Sequence, residues 1–240
     1  MSAVELVTVD GAAPLRQVGG GRRVMRRLLH NPLAVTGLVV VAIAVLAAVF
    51  AGLIAPYAPD HTDFAAALSP PSPAHWFGTD ELGHDQLSRV LFGLRVSLSV
   101  AALSVALSLV VGVPLGLAAG FYGFLDPIVS RFADTLLAFP FLILAVGLAA
   151  ILGPSLGTAT IAIGVGGVPA IVRVTRSETL RLRGLDFVAA AFADGATDFV
   201  VLRRHILPNA VNALIVQATV AAPAAIIGEA VLSFLGLGIR

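Results

Sequence analysis

Residues 186–209 read DFVAAAFADGATDFVVLRRHILPN. Long apolar segments flank this stretch on both sides. Within it stand Asp186, Asp194, Asp198, Arg203, Arg204 and His205. Six such groups place it in water or at a bilayer surface, not among lipid tails. Its pattern predicts helix, turn, helix. Residues 187–193 are strong helix formers, and Gly195 can take the positive φ that ends a helix. Thr197 suits the start of the next helix, and Pro208 marks the entry to a new apolar segment. Two short helices joined at a glycine form a compact knob that fits a partner's cleft.

The composition supports the same frame. Of 240 residues, 58% are hydrophobic and 12% charged, and the mean hydropathy is +0.97. Soluble domains carry about 25% charged residues. The expected class is an all-α polytopic membrane protein. There is no Cys, so disulfide and thiol chemistry are excluded. The basic residues are all Arg. Without Lys there is no P-loop to hold a nucleotide's phosphates and no Schiff base. Any ATP that drives the protein is hydrolysed by another chain.

Five apolar runs are long enough to span: about 33–55, 96–119, 132–152, 158–174 and 206–227. A polar segment, 1–31, precedes them and ends in Arg16, Arg22, Arg23, Arg26 and Arg27. Basic residues before a first span hold that end in the cytoplasm. The alternative, a signal-peptide n-region, fits poorly because the first run exceeds an ordinary h-region. With the N-terminus inside, inner segments also hold Arg131, Arg173, Arg176, Arg181, Arg183, Arg203 and Arg204. Outer segments hold only Arg89, Arg95 and Arg240. The 186–209 knob then faces the cytoplasm.

Within the spans, Gly112, Gly116 and Gly120 recur every fourth residue and predict close helix packing, with a bend at Pro114. Gly164, Gly166, Gly167 and Pro169 predict a broken fourth span. Residues 122–131 read as a short connection. The outer loop, about 56–95, carries Asp60, Asp63, Asp80, Glu81 and Asp85. In it, Thr79 is expected to cap a surface helix whose first turn Asp80 and Glu81 support. Leu82, Leu87, Val90, Leu91 and Leu94 form its apolar face. His75, Asp80, Glu81, His84 and Asp85 could suggest a metal, but only Asp80 and His84 share helical spacing, so loop-ordering hydrogen bonds are expected instead.

Two motifs resemble those of ABC importer permeases. One, Glu-Ala-Ala, three residues, Gly, nine residues, Ile-x-Leu-Pro, is filled by Ala189, Ala190, Ala191, Gly195, His205, Leu207 and Pro208. Ala189 stands at the family's glutamate and His205 at its isoleucine, which leaves a charged contact to the ATPase in doubt but not the knob. The other, W-x-G-T-D-x-x-G-R-D-x-x-S-R, belongs to the peptide and nickel branch. Trp76, Gly78, Thr79, Asp80, Gly83, Asp85, Ser88 and Arg89 match it, with His84 at the arginine. Asp134, Leu137, Ala138, Phe139 and Pro140 match D-x-x-L-A-F-P.

The resemblance implies a permease domain over 32–240, with a coupling loop at about 176–205 that includes Asp186. It implies a second permease chain, two ATP-binding subunits and a solute-binding protein outside, in the cytoplasmic membrane of a prokaryote. The solute implied is a di- or oligopeptide, with nickel also within the branch. The family usually has six spans; five are read here, and the sequence stops at Arg240, before the family's last helix, as either a truncated or an unusual member would. No catalytic constellation, cofactor, metal or nucleic-acid partner is expected. Asp134 and Glu229, near span ends, could line a pathway or serve helix packing. A secondary transporter or channel is the rival reading; it predicts internal repeats and mid-membrane charges, and neither stands out.

Overall fold

In a computed structural model, residues 30–237 are described. The arginine-rich run 16–27 and the last residues, 238–240, lie outside them. The chain divides into two units, the first ending at Leu46 and the second starting at Ala47. Helix α1, Pro32–Val49, holds all but three of its residues in the first unit. The Asn31 side chain accepts from the Leu33 N–H at 3.1 Å and starts it. Leu38, Val40, Val41 and Ile43 are all exposed, as lipid-solvated residues are.

The second unit begins with the short α2, Ala51–Ile54, and continues through an irregular segment to α3, Gln86–Phe121. The broken pair α4, Asp126–Ala138, and α5, Phe141–Leu152, follows, then α6, Leu156–Arg183. The elbow contains α7, Asp186–Ala193, and α8, Asp198–Val201. A single wide π turn, Leu202–Ile206, leads into α9, Leu207–Phe234. Among the described residues, four helical stretches are long and apolar enough to cross a membrane, and five if the bent pair counts as one span. That matches the five apolar runs.

The seam between α3 and α6 organises this unit. Ser104, Ser108, Gly112, Gly116 and Gly120 recur every fourth residue of α3, and all five are buried. A Cβ on Gly112 would come within 2.7 Å of Ile171, one on Gly116 within 2.5 Å of Thr175, and one on Gly120 within 2.6 Å of Thr179. The partners ascend together, so the two helices run parallel. Ser108 Oγ donates to Gly164 O at 2.6 Å and Ser104 Oγ to Thr160 O at 3.0 Å. The Thr175 and Thr179 hydroxyls bond back to their own helix, leaving carbon atoms against the glycines. Two parallel spans need a return crossing between them, and α4 with α5 supplies it.

Several expectations are corrected. Thr79 caps no helix: α3 begins at Gln86, where Asp85 accepts from the Ser88 N–H at 2.8 Å. The surface helix expected before the second span is the start of α3. The third span is not one rod, because the chain turns 89° between Ala138 and Phe141. Pro140 explains the break: its ring disfavours helix at Phe139 and removes a donor. Residues 122–131 are only partly a connection, since α4 starts at Asp126. The fourth span is not broken. Gly164 and Gly167 sit where Leu107 and Ser108 press closest, so they serve packing. Glu229 lies five residues before the end of α9 at Phe234 and is buried.

The seam yields a test. Replacing Gly116 with Val should destabilise the detergent-solubilised protein by about 1–3 kcal/mol, the usual cost of overfilled contacts of this kind. Gly147→Ala, where a Cβ meets nothing within 4 Å, should leave the melting temperature within a few degrees. Thermal unfolding of both variants checks the contrast.

Candidate functional site

The elbow is built from its glycine outward. Gly195 has φ +85°, and a Cβ there would meet nothing within 4 Å. Its constraint is therefore backbone conformation and not space. Gly195 N–H donates to Phe192 O at 2.9 Å and Ala196 N–H to Ala191 O at 3.0 Å. This is the Schellman pairing that closes a helix with a left-handed residue. Thr197 stands at the start of α8, as its type suggested, but its side chain makes no capping bond. Pro208 does not interrupt the chain. It sits in the first turn of α9, where its missing N–H is tolerated. The turn before it is wide, with Leu207 N–H bonded to Leu202 O. The Asn209 side chain donates to His205 O at 2.6 Å.

One face of this elbow is locked to three spans. Val188, Ala191, Val201, Ile206 and Ala210 form a buried cluster with Phe121 of α3 and Leu182 of α6. Arg183 donates from Nη1 to Phe121 O at 2.8 Å, and its guanidinium lies 5.4 Å from the Phe121 ring centroid. The last carbonyl of one span is thus held by the last arginine of another. The opposite face is open. Asp186, Ala189, Ala190, Gly195 and Pro208 are exposed, while Leu207 and His205 are half-buried. Phe199 is 68% exposed, and Phe187 and Phe192 are also exposed. The sequence did not single out Phe121 or Arg183; they lie more than sixty positions before or just ahead of the knob.

At the opposite end of α3, the motif residues of the 56–95 segment form one hydrogen-bonded unit. Thr79 pairs with Asp85 as an isolated bridge, and its hydroxyl donates to Ala66 O. Asp80 accepts from the Leu82 and His84 backbones at 2.9 Å, from the His84 ring at 2.9 Å and from Arg89 at 2.5 Å. Asp85 accepts from Ser88 Oγ at 2.7 Å and from the His75 ring at 3.1 Å. The His75 ring in turn stacks on Tyr57 at 5.0 Å. Gly78 and Gly83 have φ +75° and +79°, and a Cβ on Gly83 would lie 1.8 Å from Asp63 O. Trp76 alone points away, 66% exposed. Burial raises the Asp80 carboxyl, but the His84 backbone, the His84 ring and the Leu82 N–H outweigh it and hold the group well below the usual carboxylate range. Burial likewise raises Asp85, and Ser88 and His75 bring it down. Among the described residues no three His, Cys, Asp or Glu side chains form a metal-binding group.

The two span acids part company. Asp134 is exposed on α4 and accepts from Arg173 at 2.7 Å. Glu229 is buried on α9 and accepts from Ser97 Oγ at 2.8 Å. A cavity of about 620 Å³ lies between α3, α5, α6 and α9. Phe141, Leu142, Ile163, Val220 and Val231 give it apolar walls, and Ser104, Ser108 and Gln217 are its polar points.

The second unit thus combines an apolar-walled, half-open cavity with an elbow fixed to the ends of three long helices. Residues 112–240 match the family described as "Binding-protein-dependent transport system inner membrane component". Residues 21–71 match the N-terminal TM domain of oligopeptide transport permease C. The dipeptide transport system permease protein DppC of Alkalihalophilus pseudofirmus is 42% identical over 218 residues, which cover 90% of this chain and 72% of that one. The glutathione transport system permease protein GsiD of Pectobacterium atrosepticum is 38% identical, covering 90% and 73%. The permease of the inward-facing MetNI methionine ABC transporter superposes with a TM-score of 0.57 at 25% identity, covering 62% of this chain and 76% of that one. The chain belongs to the binding-protein-dependent transport family and is a permease subunit of an ATP-driven ABC importer. The family implies a partner permease and ATPase subunits.

The 56–95 segment carries a pH prediction. Asp80 and Asp85 both titrate below their ordinary values, so their contribution is complete above the unfolded carboxylate pKa of about 3.9. It is lost as pH falls below that. Trp76 is the only Trp, so its fluorescence should hold steady from pH 7 to about pH 4 and report a loop transition only on acidification below about pH 3.9. In Asp80→Asn that transition should be smaller, with part of the change already present at pH 7.

Proposed function

We propose that the elbow at 186–208 is the element through which separate ATP-binding subunits move this permease. The observation that carries the reading is its two-sidedness. One face shares a buried cluster with the ends of α3, α6 and α9, while Phe199 is offered to solvent and Phe187 and Phe192 are partly exposed at the edge, Phe192 against Phe121. Large exposed apolar side chains on a rigid support mark a protein contact. Ala189 is exposed where relatives of this type carry a glutamate, so the contact here is apolar in character. Force applied to the elbow reaches three spans at once, and alternating access follows from their tilting.

The arginine distribution supports an elbow in the cytoplasm and an N-terminus on the same side. The permease domain extends over 32–240, and the chain itself is non-catalytic: with no Lys it has no nucleotide-binding loop of the usual kind. The outer loop is the contact for a solute-binding protein outside, its exposed Trp76 held on a fixed scaffold. The solutes are di- or oligopeptides, a reading supported by the dipeptide and glutathione permeases among the relatives. Asp134 and Glu229 serve helix packing, each being bonded to a neighbouring helix.

The test is Gly195→Val in the assembled transporter. A branched side chain at φ +85° is strained, at roughly 1–2 kcal/mol for the left-handed region, and it would deform the elbow. ATP-binding subunits should no longer co-purify, and labelled dipeptide uptake into proteoliposomes should fall at least about tenfold, a loss of roughly 1.4 kcal/mol of contact. Retained subunits and retained uptake would overturn the proposal.

A further inference from the structure

The elbow joins α6 and α9, which line the cavity directly, and the α5 wall is also tied to it through ion pairs between α4 and α6. Helix α6 ends at Arg183, just before the elbow. Two turns earlier, Arg176 grips α4: Nε donates to Asp126 Oδ1 at 2.5 Å and Nη2 to Asp126 Oδ2 at 2.6 Å. Asp126 also accepts from Ser130 Oγ at 2.9 Å. Asp134, further along α4, meets Arg173. Beyond Ala138 the chain bends 89° and continues as α5, whose Phe141 and Leu142 line the cavity. A continuous path therefore runs from elbow to α6, across the ion pairs to α4, and around the bend to the cavity wall.

The two ion pairs differ in weight. Asp134 and Arg173 are about two-thirds exposed, and such pairs contribute little. Asp126 and Arg176 are about one-third exposed and joined by two parallel bonds, the stronger and more directional arrangement. Buried Val129 and Ala133 already hold α4 in place by packing, so the fork is not needed merely to keep the helix there. Its added property is register: a bidentate fork resists sliding, which apolar contact does not.

We propose that Asp126 and Arg176 are positioning residues for transport, locking α4 to α6 so that the cavity wall at Phe141 and Leu142 follows the elbow. The proposal rests on the coupling reading above, and the two are tested separately. Gly195→Val asks whether ATP-binding subunits are held. Asp126→Asn asks what happens once they are.

The experiment uses the whole transporter in proteoliposomes, with peptide uptake and ATP hydrolysis measured together. Asp126→Asn should keep its ATP-binding subunits and hydrolyse ATP within about twofold of the parent, while uptake per ATP falls about tenfold, the upper range for a residue that touches neither ligand. The exchange Asp126→Arg with Arg176→Asp should bring uptake per ATP back to within about threefold, which a loss of packing would not allow. Arg176→Lys keeps the charge but not the fork and should remain uncoupled. The chain has no Cys, so spin labels at Thr135→Cys and Ser177→Cys can report the distance from α4 to α6. That distance should broaden in Asp126→Asn and narrow again in the exchange variant. Unchanged uptake per ATP in Asp126→Asn, or an uncoupled exchange variant whose label distance matches the parent, would overturn the proposal. Should Asp126→Asn fail to assemble, Arg176→Lys with its label distance decides the matter by the same two readings.

Discussion

The closeness of α3 and α6 is the constraint on which the rest of the second unit depends. In lipid there is little hydrophobic gain from bringing two apolar helices together, so packing and interhelical hydrogen bonds must do it. Here the helices touch along five consecutive turns. Glycine removes the side chain at the tightest points, and serine spends its hydroxyl on the neighbour's carbonyl. Because the two run parallel, the intervening chain must recross, and that crossing is the bent one. Because they end together, Phe121 and Arg183 meet and give the elbow a firm seat.

From that seat the two polar ends of the unit acquire different characters. The arginine-rich end is compact and mechanical: short helices, a shared apolar cluster, and three arginines of α6 each paired with a carboxylate. The acidic end is a loop of little regular structure kept in shape by carboxylates that accept several donors each. Such a loop is rigid without being a helix or a strand. Motif residues with no chemical role, such as Gly83 and Thr79, are explained by it: one leaves room for Asp63 O, and the other ties two segments together.

Much of this was legible in the sequence, and for particular reasons. The elbow could be read because Gly195 and its helix-forming neighbours signal locally, and the apolar runs because lipid demands length. Gly112, Gly116 and Gly120 announced a close contact but not its partner, and Ser104 and Ser108 extend the same period unnoticed because serine is common in loops too. The start of α3 was misplaced because Thr79 and Asp85 are both good caps, and only the bridge between them shows which is used. Gly164 and Gly167 suggested a break, yet glycine serves close packing as readily as flexibility. The pairings Arg176 with Asp126, Arg183 with Phe121 and Ser97 with Glu229 join residues 50, 62 and 132 positions apart. No local pattern encodes such distances.

The wide turn at Leu202–Ile206 has one more effect. Val201 and Ile206 are five residues apart and both fully buried, although in an ordinary helix such positions diverge by about 140° around the axis. The extra residue absorbed there brings them onto the same side, so that α8 and α9 face inward together while Arg203 and Arg204 stay outside. The phase of the last span is thereby set at this point. A chain shortened by one residue in the turn would swing everything after it by about 100°, carrying Glu229 away from Ser97 and presenting a carboxylate to lipid.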